Sequence, residues 1–221
     1  MPKIVVYGAS GNGCEVAHTV LAAAAAGQDW ELLGFVDDSP RLQGTQAMGL
    51  PVWGDGEWLS AHPEVQVALG IGHPRSRYQV AQRLSAQGAT LATIIHPQAL
   101  VVPSAQLGPG CVVFAGAVLS HNCRLGTAVQ VSYGAVVHHD AQVGDFSCVM
   151  AHATLAGEVT VGTGCFVGIG VSTRQQVAIG DWVLVGVGAV VVKSLPAYCV
   201  AVGVPARPVR RYASPEEMPD F

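Results

Sequence analysis

From Val101 onward the chain repeats every six residues. Val101, Leu107, Val113, Leu119, Leu125, Val131, Val137, Val143, Val149, Leu155, Val161, Val167, Thr173, Ile179, Val185 and Val191 form one column, aliphatic throughout except at Thr173. Four residues after each comes a second column of small or β-branched residues, among them Ala105, Cys111, Ala117, Cys123, Ala135 and Cys165. A helix keeps a period of 3.6 and a strand a period of 2, so neither explains this spacing. A parallel β-helix does, because each short strand turns one large side chain inward and each corner a small one. Gly108, Gly126, Gly144, Gly162 and Gly180 recur every eighteen residues. Three hexads therefore close one coil, and one corner in three favours glycine.

The register gives meaning to the polar cluster at His138, His139 and Asp140, unusual in a chain with only 12% charged residues. Residues eighteen apart stack at the spacing of neighbouring strands, about 4.8 Å. His139 then lies above His121 and below Gly157, and Asp140 lies between Asn122 and Glu158. Both are outside the inward columns, so the imidazole projects onto the prism surface beside a step with no side chain, where a ligand can approach the backbone. A histidine in a solenoid corner is ordinarily just solvated; the stacking on Gly157 favours a catalytic role. His138 points elsewhere, and His121 and His152 are rim residues. Cys111, Cys123 and Cys165 fill small inward slots, and Cys14 belongs to a helical core face.

Residues 1–97 follow another grammar. "KIVVYGAS", "WELLGFVDD", "VQVALGIG" and "ATLATIIHP" read as buried strands, with helices over "CEVAHTVLAAAAAG" and "SRYQVAQRLSAQG". Alternating strands and helices predict a small Rossmann-like α/β domain over 1–97, followed by the β-helix and a tail over 98–221. "GASGNG" joins strand to helix, where backbone N–H groups and the helix dipole suit phosphate. Its glycine order is not the dinucleotide fingerprint, and the domain is short for one, which argues against NAD. Asp37 and Asp38 end the next strand, either as ribose ligands or as a solvated turn.

A net charge of −4 without a basic stripe argues against nucleic acid. The longest uncharged helical run, between Glu15 and Asp29, is too short to span a bilayer. The start "MPKIVVYGAS" has no secretory pattern, and six scattered cysteines fit reduced thiols in a cytoplasm. Arg207, Arg210 and Arg211 follow the last coil, to meet phosphates or to solvate a tail.

The segments "YGASGNG", "FVDD", "LGIG", "VVHHDAQVGDFS", "LAGEVTVG" and "VGVPAR", with the hexads, give the chain a resemblance from about residue 2 to 210. It resembles the NeuD/PglD-like sugar O- and N-acyltransferases, a family of hexapeptide-repeat acyltransferases. The resemblance implies a left-handed β-helix, homotrimers with the active site between subunits, and acetyl-CoA as cosubstrate without a metal. It implies that His139 is the general base, Asp140 its partner and Gly157 the amide donor to the thioester oxygen. Asp140 stands where a related enzyme has the longer Glu. Acetyl-CoA would meet Gly157, Cys148 and Ile169, although Cys148 replaces a histidine. A UDP-sugar would meet Ser10, Gly11, Asn12, Asp37, Asp38 and Gly72, with Asn12 also replacing a histidine.

The expected activity is N-acetylation of a UDP-4-amino-sugar for surface glycans, with O-acetylation of a sialic-acid-type sugar as the alternative. An imidazole, which ordinarily titrates near pH 6.5, accepts a proton at neutral pH and contributes roughly 10²–10⁴-fold. Two further classes use comparable parts. A γ-carbonic-anhydrase-like zinc hydratase shares the solenoid, but His121, His138, His139 and His152 do not reproduce its histidine pair. A non-catalytic nucleotide-sugar-binding protein would need only the amino-terminal half.

Overall fold

The computed structural model describes residues 1–219 of the chain. Its amino-terminal unit is built on a parallel sheet of β1 (Lys3–Tyr7), β2 (Glu31–Val36) and, after the small hairpin of β3 (Gln46–Ala47) and β4 (Leu50–Pro51), β5 (Gln66–Leu69). The strand order is β2–β1–β5, with Val52 bridging the outer edge of β2 and Leu91 that of β5. Ile4, Val5 and Val6 of the central strand are completely buried, as expected for a sheet covered on both faces.

Helix α1 (Gly11–Ala25) begins three residues before the apolar pattern starts at Cys14. Ser10 takes the extended geometry of an N-cap, so the glycine loop is drawn into the first turn. Gly13 permits this, because a methyl group there would run into the Gly8 carbonyl. The short helix α2 (Glu57–Ser60) and the β3–β4 hairpin carry too few residues to register as periodic patterns. Helix α3 (Pro74–Ala86) opens with proline at its first turn, where the missing N–H costs nothing.

The last α/β segment does two jobs. Leu91 bridges to β5, whereas Ile94–Ile95 pairs with Val112–Val113 and is the first strand of the solenoid. From there three parallel faces alternate. The first carries the pairs at 94–95, 112–113, 130–131, 148–149, 166–167 and 184–185. The second runs from 100–101 to 190–191 and the third from 106–107 to 178–179. Partners on a face are eighteen residues apart, as in Val118↔Val136 and Arg124↔Gln142.

The inward columns form one continuous core from Cys111 to Ala206. Some of the small inward residues also satisfy a carbonyl on the next coil. Cys111 Sγ donates to Gly126 O at 3.1 Å, Ser147 Oγ to Gly162 O at 2.8 Å and Cys165 Sγ to Gly180 O at 3.0 Å. The eighteen-residue glycines are needed for close approach rather than for an unusual φ: a Cβ on Gly144 would lie 2.6 Å from the Gly162 carbonyl carbon.

The α/β unit rests on the first face. Val112 and Phe114 join the core of β1 and α1, and Ala128 and Phe146 join that of β5 and α3. Strands Cys199–Val202 and Arg207–Arg211 extend the same face, the second antiparallel to the first and exposed along its length, so Arg207, Arg210 and Arg211 are solvated. Beyond them Tyr212 and Met218 pack on Cys148, Phe166, Trp182 and Leu184.

Candidate active site

His139 occupies the corner between the second and third faces, directly opposite the face that carries the α/β unit. Asp140 adopts the left-handed conformation there (φ 58°), as do Asn122, Glu158 and Gln176 at the matching position of neighbouring coils. Asparagine and aspartate tolerate this region better than most residues. The reversal turns the Asp140 carboxylate back onto its neighbour: His139 Nδ1 lies 3.0 Å from Asp140 Oδ2. Asn122, not singled out in the sequence, donates from Nδ2 to Asp140 Oδ1 at 2.7 Å. The Asn122 bond first, and the His139 bond second, hold the Asp140 carboxyl below the usual carboxylate range.

With Nδ1 bonded to a carboxylate, the proton belongs on Nδ1 and the lone pair on Nε2. That atom lies against Gly157. A side chain at 157 would collide with Nε2 and Cε1 of the imidazole, and glycine is the residue that fits. Gly157 itself is buried beneath the ring, while the side chains of His139 and Asp140 are 46% and 44% exposed. Gly157 N–H makes no hydrogen bond among the described residues, whereas Gly157 O accepts from Gln176 N at 3.1 Å. An exposed proton acceptor and a free amide donor thus stand side by side on consecutive coils.

The other expected residues are distributed elsewhere. Cys148 lies on the first face, completely buried among Phe166, Trp182, Leu184 and Tyr78, and burial pushes its thiol up to about 11. Its side chain therefore has no surface to offer a thioester, because the tail and α3 cover it. Ile169 is 47% exposed at the corner between the first and second faces, away from the His139 corner of the same chain. His121 bonds through Nδ1 to Ser104 Oγ at 2.9 Å, one coil below His139. His138 and His152 are exposed. Among the described residues no group of three or more His, Cys, Asp and Glu converges as a metal site would require.

Ser10, Asp37, Asp38 and Gly72 line a second cleft of about 330 Å³ in the α/β unit, with Tyr7, His73 and Ser76; Gly11 is exposed just beyond Ser10. Both acidic groups are committed. Asp37 accepts from Ala9 N and Ser39 N at 2.8 Å each. Asp38 accepts from the Tyr7 hydroxyl and from Arg83, each at 2.5 Å, and these bonds hold its carboxyl below the usual range despite partial burial. Asn12 does not face a ligand freely either: its amide exchanges hydrogen bonds with Gln130 on the first face, at 3.0 and 3.3 Å.

That pair leads to the fully buried Arg77, whose Nη1 reaches Leu69 O at 3.1 Å and Ile71 O at 2.9 Å and whose Nε donates to Ala128 O. Among the described residues the guanidinium has no carboxylate partner, and it pins the cleft wall to the solenoid through backbone carbonyls and the Gln130 side-chain oxygen at 3.5 Å. Arg77 falls within the helix read from the sequence, and nothing in the sequence indicated its burial.

An α/β unit on a three-faced hexapeptide β-helix is the architecture of the left-handed β-helix acyltransferases. The comparisons agree. Residues 3–84 match the PglD N-terminal domain. The acetyltransferase domain of PglB from Neisseria gonorrhoeae is 33% identical over 95% of this chain and 100% of its own, with a TM-score of 0.84. A variant of GDP-perosamine N-acetyltransferase from Caulobacter crescentus, solved with CoA and GDP-perosamine, is 32% identical over 93% of this chain and 96% of its own, TM-score 0.85. WeeI from Acinetobacter baumannii is 26% identical over 93% of this chain and 99% of its own, TM-score 0.83. A comparison with curated proteins returned no match. The chain belongs to the PglD/NeuD-like family of sugar acetyltransferases.

Proposed function

We propose that the protein transfers an acetyl group from acetyl-CoA to the amine of a nucleotide-linked amino sugar, a UDP-4-amino-sugar being the acceptor we expect. The observation that carries this reading is the His139 imidazole lying across Gly157 with Nδ1 bonded to Asp140. The sugar amine attacks the thioester carbonyl while Nε2 of His139 takes its proton. The carbonyl oxygen, gaining negative charge, receives the free Gly157 N–H, a type of bond worth about 2.7–4 kcal/mol in acyl transfer. The C–S bond then breaks, and the thiolate, a good leaving group, departs as CoA. Asp140 keeps the imidazole in the accepting tautomer and offsets its charge once protonated, and Asn122 holds Asp140.

We place the acceptor's nucleotide in the cleft of Ser10, Asp37, Asp38 and Gly72; a relative solved with CoA and GDP-perosamine supports a nucleotide-sugar acceptor. That cleft sits on the first face and His139 on the opposite corner, so one chain does not bring them together. A homotrimer, in which a neighbour's α/β unit approaches the His139 corner, resolves this. The exposed apolar Ile169 and Val187, 47% and 73% accessible, give such a neighbour a surface to cover and bring Ile169 to acetyl-CoA across the interface. Six unpaired cysteines suit a reducing cytoplasm.

The test is CoA thiol release with UDP- and GDP-linked 4-amino-sugars and free sialic acid as acceptors, for the unaltered protein and for His139→Ala. The expected result is turnover with a UDP-4-amino-sugar that His139→Ala nearly abolishes while the protein stays folded. An unchanged rate in the variant removes His139 from the mechanism; turnover with sialic acid alone reassigns the acceptor to a hydroxyl.

A further inference from the structure

We propose that Thr173 is a positioning residue that sets the Gly157 amide, an inference that rests on Gly157 acting as the oxyanion donor. Thr173 is the one polar interruption of the large inward column. On the second face the residue after each strand donates its N–H to a main-chain carbonyl one coil on. Val102, Ser120, His138 and Arg174 do so to Leu119, Val137, Leu155 and Val191 at 3.1, 2.9, 3.0 and 2.8 Å. Ala156 is the member of this series next to Gly157, and it differs: its N–H donates to Thr173 Oγ1 at 2.9 Å.

The ladder is altered there as well. Only Thr154↔Ser172 remains paired between these coils, whereas the neighbouring coils on the same face keep two residue pairs. Thr173 Oγ1 lies 3.5 Å from Thr154 O, to which it can donate. A hydroxyl in an apolar column is costly unless bonded, and a valine would fill the slot and leave the regular carbonyl acceptor available. Stability alone therefore does not account for threonine here.

Its effect falls on the Gly157 corner, on the coil next to His139. The Leu155–Ala156 peptide is fixed by Thr173 Oγ1, and the Gly157–Glu158 peptide by Gln176 N to Gly157 O at 3.1 Å. Between those pins lies the peptide that carries the free Gly157 N–H; its own carbonyl, Ala156 O, accepts only a long bond from Val159 N at 3.4 Å, so its orientation follows mainly the Ala156 and Gly157 dihedrals. Thr173 reaches the reacting atoms only through this peptide.

The experiment compares Thr173→Val, Thr173→Ala and Thr173→Ser with His139→Ala as the control, by steady-state CoA release and thermal unfolding. In Thr173→Val, kcat should fall about 10- to 100-fold, the scale of a displaced oxyanion donor. Both KM values should stay within about twofold, the pH profile should keep its shape, and Tm should be unchanged or higher as the column becomes fully apolar. Thr173→Ala must lose kcat in the same way, so that a misfolded valine variant cannot hide the answer, and Thr173→Ser should retain most of it. Undiminished kcat in both Thr173→Val and Thr173→Ala, with His139→Ala inactive, overturns the positioning role and leaves the active-site reading standing. Undiminished turnover in His139→Ala removes that reading and this proposal with it.

Discussion

Replacing Gly157 with alanine isolates the contact on which the active-site geometry turns. A methyl group at 157 would stand 2.5 Å from Cε1 and 3.2 Å from Cδ2 of His139. Carbon contacts are comfortable at about 3.5–4.0 Å, so the imidazole must retreat by roughly 1 Å. A displacement of that size typically costs about 10²-fold in rate, equivalent to about 2.7 kcal/mol in the activation barrier. The fold should barely notice. Gly157 has a φ outside the left-handed region, so alanine is conformationally acceptable and removes unfolded-chain entropy worth about 0.4–1 kcal/mol. The half-exposed ring can swing outward to relieve the clash. For a chain of this size 1 kcal/mol moves Tm by about 2–4 °C, so Tm should change by no more than about 4 °C. Thiol-release kinetics and calorimetry on the same preparation measure both. A variant with the parent kcat, or one whose Tm collapses, would refute the reasoning: the first because the ring need not sit on Gly157, the second because the glycine serves the fold.

Asp140→Asn should lower kcat by about tenfold or more while leaving acetyl-CoA KM nearly unchanged, since it weakens the hold on the imidazole rather than a ligand contact; equal kcat values would dismiss the pair. Because Asn122 and His139 hold the Asp140 carboxyl below its usual range, it stays ionised as pH falls through the imidazole range. Its contribution is present above the ordinary carboxylate pKa and is lost only as pH drops through the lower folded value. The acid limb of kcat/KM should therefore keep unit slope down to the ordinary Asp range, about pH 3.9, and a slope of two above it would reveal Asp140 titrating with the base. Arg77→Met strands the carbonyls of Leu69, Ile71 and Ala128. At about 1–3 kcal/mol per unsatisfied group, Tm should fall by at least about 6 °C and nucleotide-sugar KM should rise more than acetyl-CoA KM; an unaltered Tm would contradict the pinning role. Burial raises Cys111 and Cys148 to about 11 and Cys165 to about 12, so these thiols should resist alkylation at pH 8 until the protein is unfolded, as peptide mapping would show.

The solenoid was legible because one physical requirement, an inward aliphatic residue on each short strand, is met at fifteen of sixteen successive hexads. The stacking of His139 on Gly157 followed from counting alone. What counting misses is side-chain direction. Asn12 and Cys148 looked available to ligands, but each meets a partner far away in sequence: Asn12 turns to Gln130, and Cys148 is covered by the tail and α3. Asn122 carried no signal of its own, because its importance depends on a left-handed backbone that folds Asp140 toward it. Thr173 was visible as an exception in its column, yet only the altered hydrogen bond of Ala156 gives that exception a meaning.

Between Leu91, which bridges to the sheet of the α/β unit, and Ile94, which opens the first coil, the chain spends only two residues. Such a junction has no slack, and a hinge needs some. Whatever movement accompanies turnover, the amino-terminal unit rides with its own solenoid as a fixed attachment. Separating the halves for independent expression would expose a sheet edge on one piece and strip an end strand from the other.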